Sequence, residues 1–274
     1  MPRIPISDLD DDRLAMYRDL KRTNLTRNSA QFVVEGEKLF ERLRASPFRI
    51  DSVLVTERHE MRIASRLYED VTIYVIPDAM IEQVVGFNFH RGVLACGVRH
   101  PWPESVPLAG SAGPRATFVV CPRIDNPENL GAIVRIADVF GIDAVLTGGR
   151  CPDPFSRRVL RVSMGSALRV PVVVSERLAD DIDRLRRIHR FVPVATVVDP
   201  TAARLDGFPW PDRTLVFLGS EGHGLEPEWL ALCEQKVTIP MRAGVESLNV
   251  SVAAGIVLYH VSRAGFGNGS SFFR

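Results

Sequence analysis

Cysteine is scarce in this 274-residue chain, which has four. Cys96, Cys121, Cys151 and Cys233 lie far apart, none in a Cys-x-x-Cys pair, and the six histidines do not gather beside them. A metal site, zinc above all, is therefore not expected. Cys96, Cys121 and Cys233 fall in apolar runs and read as small core residues. Long hydrophobic runs are missing as well: no stretch approaches the roughly 20 apolar residues that a membrane span needs. The first residues turn acidic at Asp8, Asp10, Asp11 and Asp12, unlike a secretory signal. The expectation is a cytoplasmic protein with no membrane partner. Net charge is also nearly absent, because 34 Lys and Arg stand against 33 Asp and Glu. In bulk that argues mildly against a nucleic-acid partner. The distribution matters more, with clusters at Lys21, Arg22 and Arg27, at Arg157, Arg158 and Arg161, and at Arg184, Arg186, Arg187 and Arg190. Such a cluster is more often a solvated face, yet a neutral protein can hold a local basic surface against phosphates.

What is present is a pattern of short apolar strands alternating with helices, the mark of an α/β fold. Residues 100–115 hold Pro101, Pro103, Pro107 and Pro114 and read as an interdomain linker. Residues 1–99 then form a small α/β domain, 116–266 a larger domain, and 267–274 a flexible tail. In the larger domain, strands are expected at 117–121, 144–147, 171–174, 193–198, 214–218 and 236–239. Helices are expected at 127–140, 178–190 and 247–263. Buried strands alternating with helices imply a parallel sheet, whose ligands bind beyond the carboxyl ends of the strands.

Three segments sit at such ends. In the first, Asn126 suits an N-cap and Pro127 the first helical turn, and the helix carries Asn129 and Arg135 with a stripe of Ile133, Ile136 and Phe140. In the second, Gly219-Ser-Glu-Gly-His-Gly-Leu225 follows an apolar strand, and its glycines let the backbone approach a ligand. Its spacing is neither the dinucleotide fingerprint nor a P-loop. In the third, Ile239-Pro-Met241 ends a strand and Ser247-Leu-Asn-Val-Ser251 opens an apolar helix, with Ser247 suited to the cap.

Together, Asn129 to Arg135, Gly219 to Leu225 and Ile239 to Ser251 resemble the SpoU (TrmH-type) family of SPOUT RNA 2′-O-ribose methyltransferases. Arg161-Val-Ser-Met-Gly-Ser-Ala167 resembles it too, and the likeness spans 115 to about 264. Asn24 to Leu39 and Arg91 to Ala95 are weakly similar to the family's N-terminal substrate-binding domain.

The resemblance implies a C-terminal trefoil knot, a homodimer with its active site near the subunit interface, and S-adenosylmethionine as cofactor. It places that cofactor on Gly219, Ile239 and Leu248, mostly through backbone groups, with Met241 and Thr147 as further walls. It implies catalytic roles for Arg135, Glu221, Asn249, Asn129 and Ser247. Arginine stays protonated in proteins, so Arg135 is expected to hold a phosphate and stabilise charge on the 2′-oxygen rather than act as a base. Lys21, Arg22 and Arg27 are expected to hold the RNA, ribosomal RNA ahead of transfer RNA. A base-methylating enzyme and a binding-only module are the competing readings. His223 reads as a solvent-side loop residue.

Overall fold

The computed structural model describes residues 2–18, 20, 29–67, 70–89, 92–242, 244 and 246–265. The chain divides into two compact units, Met1–Pro101 with Asp153–Arg169, and Trp102–Pro152 with Val170–Arg274.

The first unit is built on strands β1 (Arg3–Pro5), β2 (Gln31–Glu35), β3 (Ile50–Thr56), β4 (Thr72–Ile76) and β5 (Val93–Val98). Their order is β1-β4-β3-β5-β2; β4 runs parallel to β1 and β3, and β5 antiparallel to β3 and β2. Side chains alternate across a strand. Val33, Leu54, Leu94 and Cys96 pack with Leu14, Tyr17 and the helix α3 (Ile81–Val85). Their neighbours Phe32, Val53, Val55 and Ala95 are also buried, and α1 (Glu37–Arg44) packs on β2 and β5, while α2 (Glu60–Ala64) packs on β3. Both faces are therefore covered.

Asp153–Arg169, which the sequence pattern assigned to the larger domain, belongs to this unit by its contacts. It carries α6 (Arg157–Val162), packed on β2. Phe155 stacks on Phe32 with ring centroids 4.7 Å apart. Asp153, 1% exposed, pairs with Arg99, and Arg157 donates to Glu35 at 2.7 Å. In the Arg161–Ala167 motif, Met164 and Gly165 take positive φ. A Cβ on Gly165 would stand 3.0 Å from Leu39 and Arg42, so glycine lets this turn approach α1.

The second unit opens within the expected linker. Residues Ser105–Ser111 form a helix, α4, and Ala109 is fully buried. Pro107 is in the first turn, where no intrahelical N–H is required, which is why proline did not exclude the helix. The sheet comprises β6 (Ala116–Cys121), β7 (Ala144–Gly148), β8 (Val172–Ser175), β9 (Val192–Thr196), β10 (Ala203–Arg204), β11 (Arg213–Phe217) and β12 (Gln235–Thr238). Its order is β10-β12-β9-β11-β6-β7-β8, with every pairing parallel. The helices are α5 (Pro127–Val139), α7 (Leu178–His189), α8 (Pro227–Leu232) and α9 (Val250–Gly265). Helix α4 packs on α7, and α5 on α9. Phe118, Val119, Val120 and Cys121 are all fully buried, as a central strand covered on both faces requires.

The chain runs from β6 outward to β8 on one side, then builds the other side from β9 to β12. Strand order thus switches between the neighbours β6 and β11. In parallel sheets that is where a crevice opens beyond the strand ends.

Candidate active site

The register places Phe217 beside Val120, so the segments leaving β6 and β11 start side by side. After β6, Asn126 caps α5 by accepting from Glu128 N at 2.8 Å. That cap puts Asn129 in the first turn, 8% exposed. After β11, Gly219–Leu225 closes a tight hairpin: Ser220 N donates to Gly224 O at 2.9 Å, and Gly224 N to Ser220 O at 3.0 Å. A Cβ on Gly219 would fall 2.3 Å from the Gly224 carbonyl carbon, so only glycine closes this loop.

The two segments are tied by side chains. Asn129 Nδ2 donates to Glu221 Oε1 at 2.5 Å. The third segment joins them, because Asn249 Nδ2 donates to Asn129 Oδ1 at 3.2 Å. Asn249 Oδ1 accepts from Ser251 N at 2.9 Å and from Val252 N at 3.4 Å. Asn249 is therefore the cap of α9, not Ser247, and the helix begins three residues later than its sequence pattern suggested.

Beside this junction lies a cavity of about 630 Å³ lined from Thr196–Val198, Gly219–Leu225, Ile239, Met241 and Glu246–Leu248, with Leu230, Val237, Val250 and Ala253. These residues follow or flank the neighbouring strands β9, β11 and β12.

Residues 116–259 match the SpoU rRNA Methylase family. The chain belongs to that family. A SpoU family member is an S-adenosylmethionine-dependent RNA methyltransferase, so this chain is one. It is 34% identical over 270 residues, 95% of its own length and 92% of the relative's, to a Mycobacterium tuberculosis protein named an uncharacterized tRNA/rRNA methyltransferase. It is 29% identical over 84% of its length to the 23S rRNA (guanosine(2553)-2′-O)-methyltransferase RlmP of Bacillus subtilis, covering 88% of that protein. The fold matches the crystal structure of an AdoMet-bound rRNA methyltransferase from Sinorhizobium meliloti, with a TM-score of 0.81 at 21% identity over 97% of this chain and 99% of that one.

The cavity suits the SpoU cofactor. Its volume lies in the range of small-molecule sites, roughly 300–1,000 Å³. The apolar walls Val237, Ile239 and Leu248 suit an adenine, and the carboxylates Glu221 and Glu246 suit a molecule carrying sulfonium and ammonium charge. Gly219, Ile239, Leu248 and Met241, the positions that the family resemblance points to, all line it.

Thr147 does not. It is 1% exposed in β7, its hydroxyl donating to Val173 O at 3.2 Å, and it lies on the far side of β6 from the cavity-bearing strands. Glu221 and Ser247 line the cavity, whereas Asn129 and Asn249 act beside it through their hydrogen bonds. Arg135 is separate. It is exposed and borders an apolar groove with Ile136, Val139, Phe140, Gly255, Ile256, Tyr259 and His260. Half-buried Ile136 and Phe140 thus face this groove, and the fully buried stripe of α5 is Leu130, Ile133, Val134 and Ala137. Lys21, Arg22 and Arg27 lie outside the described residues.

Sequence reasoning missed the stretch Thr196–Val198 as cavity wall, because an apolar strand end carries no motif. His223, expected as a solvent-side loop residue, is exposed on the hairpin and also lines the cavity, which sequence reasoning did not foresee. Among the described residues no His, Cys, Asp and Glu group of three or more could hold a metal, and no helix is long and apolar enough to cross a membrane.

Proposed function

We propose that this protein transfers the methyl group of S-adenosylmethionine to a ribose 2′-hydroxyl of ribosomal RNA. The observation that carries the reading is the hydrogen-bonded junction of Glu221, Asn129 and Asn249 at the rim of the cavity. The bound cofactor supplies an activated methyl group. The chain's residues must hold a ribose in line with it and stabilise the oxygen as its proton leaves. Asn129 and Asn249 fix Glu221 and the hairpin, so the cavity wall is rigid before RNA arrives. Arg135, always charged, holds a backbone phosphate and stabilises negative charge on the 2′-oxygen. The name of the Bacillus subtilis relative favours ribosomal RNA, while that of the Mycobacterium relative leaves transfer RNA as the second reading.

The working unit in this proposal is a homodimer in the cytoplasm. What supports the dimer is the α5–α9 groove, where Val139 and Tyr259 are 68% and 49% exposed. Arg135 stands on this groove, so a second copy docked there would put the catalytic arginine at the subunit interface. Substituting Tyr259→Asp would then yield monomers in sedimentation and lower activity. The trefoil knot belongs to the same proposal, in the segments that follow β9, β11 and β12 and line the cavity.

The test is incubation of the purified protein with methyl-labelled S-adenosylmethionine and separate pools of unmodified ribosomal and transfer RNA. Label in alkali-resistant dinucleotides from the ribosomal pool is expected. Label in a methylated base, or none with cofactor binding intact, would overturn the reading.

A further inference from the structure

A second cavity, of about 400 Å³, opens in the second unit beyond the carboxyl ends of β6, β7 and β8. Its wall carries Arg123 after β6, Arg150 after β7, Glu176 after β8, and Glu226, Glu228 and Trp229 from the start of α8. Two glycines make the room. A Cβ on Gly148 would fall 2.3 Å from Pro122 O, and one on Gly149 would fall 2.7 Å from Glu176 Oε2. Glycine thus lets β7 end against the β6 loop and lets the Glu176 carboxylate lie over it. Trp229 is half-buried and packs on the core of this unit, which fixes an aromatic wall.

The cavity is tied to the donor site. The hairpin that walls the donor cavity runs directly into Glu226. Glu226 Oε1 lies 3.3 Å from Arg150 Nη1 and 3.8 Å from Arg123 Nη1. Arg123 Nε donates to Asp125 at 2.9 Å, and Asp125 N donates to Glu221 Oε2 at 3.5 Å. One chain of polar contacts therefore runs from Arg150 to the junction of Glu221, Asn129 and Asn249.

The lining charges select the ligand. Three carboxylates beside two guanidiniums would repel a phosphate, so the cavity suits a neutral, flat molecule whose edge both donates and accepts. In an RNA methyltransferase that molecule is a nucleobase, and unpaired bases are read by aromatic stacking and by bonds to their Watson–Crick edges. Guanine is the base whose edge sets two adjacent donors, N1–H and the 2-amino group, beside an acceptor, O6. A carboxylate matches the donors and an arginine matches O6. We propose that this cavity is a guanine subsite for the RNA substrate. The base stacks on Trp229, Glu176 accepts from N1–H and the 2-amino group, and Arg150 donates to O6. The polar chain through Glu226, Arg123 and Asp125 then sets the bound RNA in register with the methyl donor.

The proposal rests on RNA being the substrate, and it is tested apart from the reaction. The full chain is saturated with S-adenosylhomocysteine, which fills the donor cavity, and titrated by calorimetry with guanosine, inosine and adenosine monophosphates. Guanosine monophosphate is expected to bind about tenfold more tightly than inosine monophosphate, which lacks the 2-amino group, and more tightly still than adenosine monophosphate. It should also quench tryptophan fluorescence, a signal lost in Trp229→Phe. In Glu176→Gln the preference for guanosine over inosine should vanish. In the methylation assay the same variant should raise the KM for RNA about tenfold. If the wild type makes no ribose methylation, the reading of the reaction fails while the titrations still decide this site. Equal binding of the three nucleotides, or a Glu176→Gln protein that keeps the guanosine preference, would overturn the proposal.

Discussion

Asn129 hydrogen-bonds Glu221 at 2.5 Å across 92 positions of sequence. The bond exists because β6 and β11 are neighbours in one parallel sheet, so both strands discharge their loops at the same place. Asn249 then reaches the free oxygen of the Asn129 amide, and three loops become one rim. The Asn129→Ala variant removes both bonds. Hydrogen bonds to charged groups contribute about 1.5–3 kcal/mol, so kcat/KM should fall about 10- to 100-fold. Steady-state kinetics checks this, with circular dichroism showing an intact fold.

Gly219→Ala tests the hairpin. The added methyl would meet the Gly224 carbonyl carbon at 2.3 Å, and backbone there has no room to give. Calorimetric titration should show S-adenosylmethionine affinity reduced at least about tenfold. Unchanged affinity would mean that the loop is not part of the cofactor site.

Arg135 lies outside the donor cavity, so its substitution should separate chemistry from cofactor binding. Arg135→Ala is expected to lower kcat about 100- to 1,000-fold, the usual cost of losing a donor to a developing anion. Arg135→Lys should recover little, because lysine lacks the planar fork. Cofactor affinity measured by calorimetry should stay at wild-type level in both.

The Arg99–Asp153 pair holds the Asp153–Arg169 segment in the first unit. Both side chains are buried, at 8% and 1% exposure. Arg99→Ala would strand a buried carboxylate, a loss of about 3–5 kcal/mol. Thermal melting should register it as a clear fall in Tm. For the same reason, removing residues 1–100 should leave a poorly folded remainder rather than an independent methyltransferase domain.

Burial pushes the Cys96 and Cys233 thiols up to about 12 from an ordinary value near 9, and raises Cys121 as well. In the folded state the neutral thiol is favoured, while in the unfolded chain it ionises from about pH 9. Their contribution is therefore complete below pH 9 and is lost as pH rises toward 12. Urea melts at pH 7 and 10.5 should show lower stability at the higher pH. At pH 8, a thiol reagent should leave buried Cys96, Cys121 and Cys151 unmodified until denaturant is added.

The sequence by itself determined the α/β fold class, the family and only part of the cavity's lining. Apolar periodicity marks elements whatever their neighbours, and loop glycines such as Gly219 announce a backbone that must come close to something. Gly219, Ile239, Met241 and Leu248 were named through the resemblance to the SpoU family, and all four line the cavity. Only tertiary structure decided which loops meet. Strand order is a matter of pairing across the sheet, and no local pattern records it. Thus Thr147 ends a strand like the others, yet β7 stands on the wrong side of β6 and the side chain is buried. Arg135 shares α5 with Asn129, but six residues turn it onto the apolar groove instead of the junction. The Arg161–Ala167 motif sits inside the family's matched span, yet hydrophobic packing and buried ion pairs place it with the first unit. His223 became a cavity residue because the paired bonds of Ser220 and Gly224 fold the hairpin, a contact that the residues alone do not reveal.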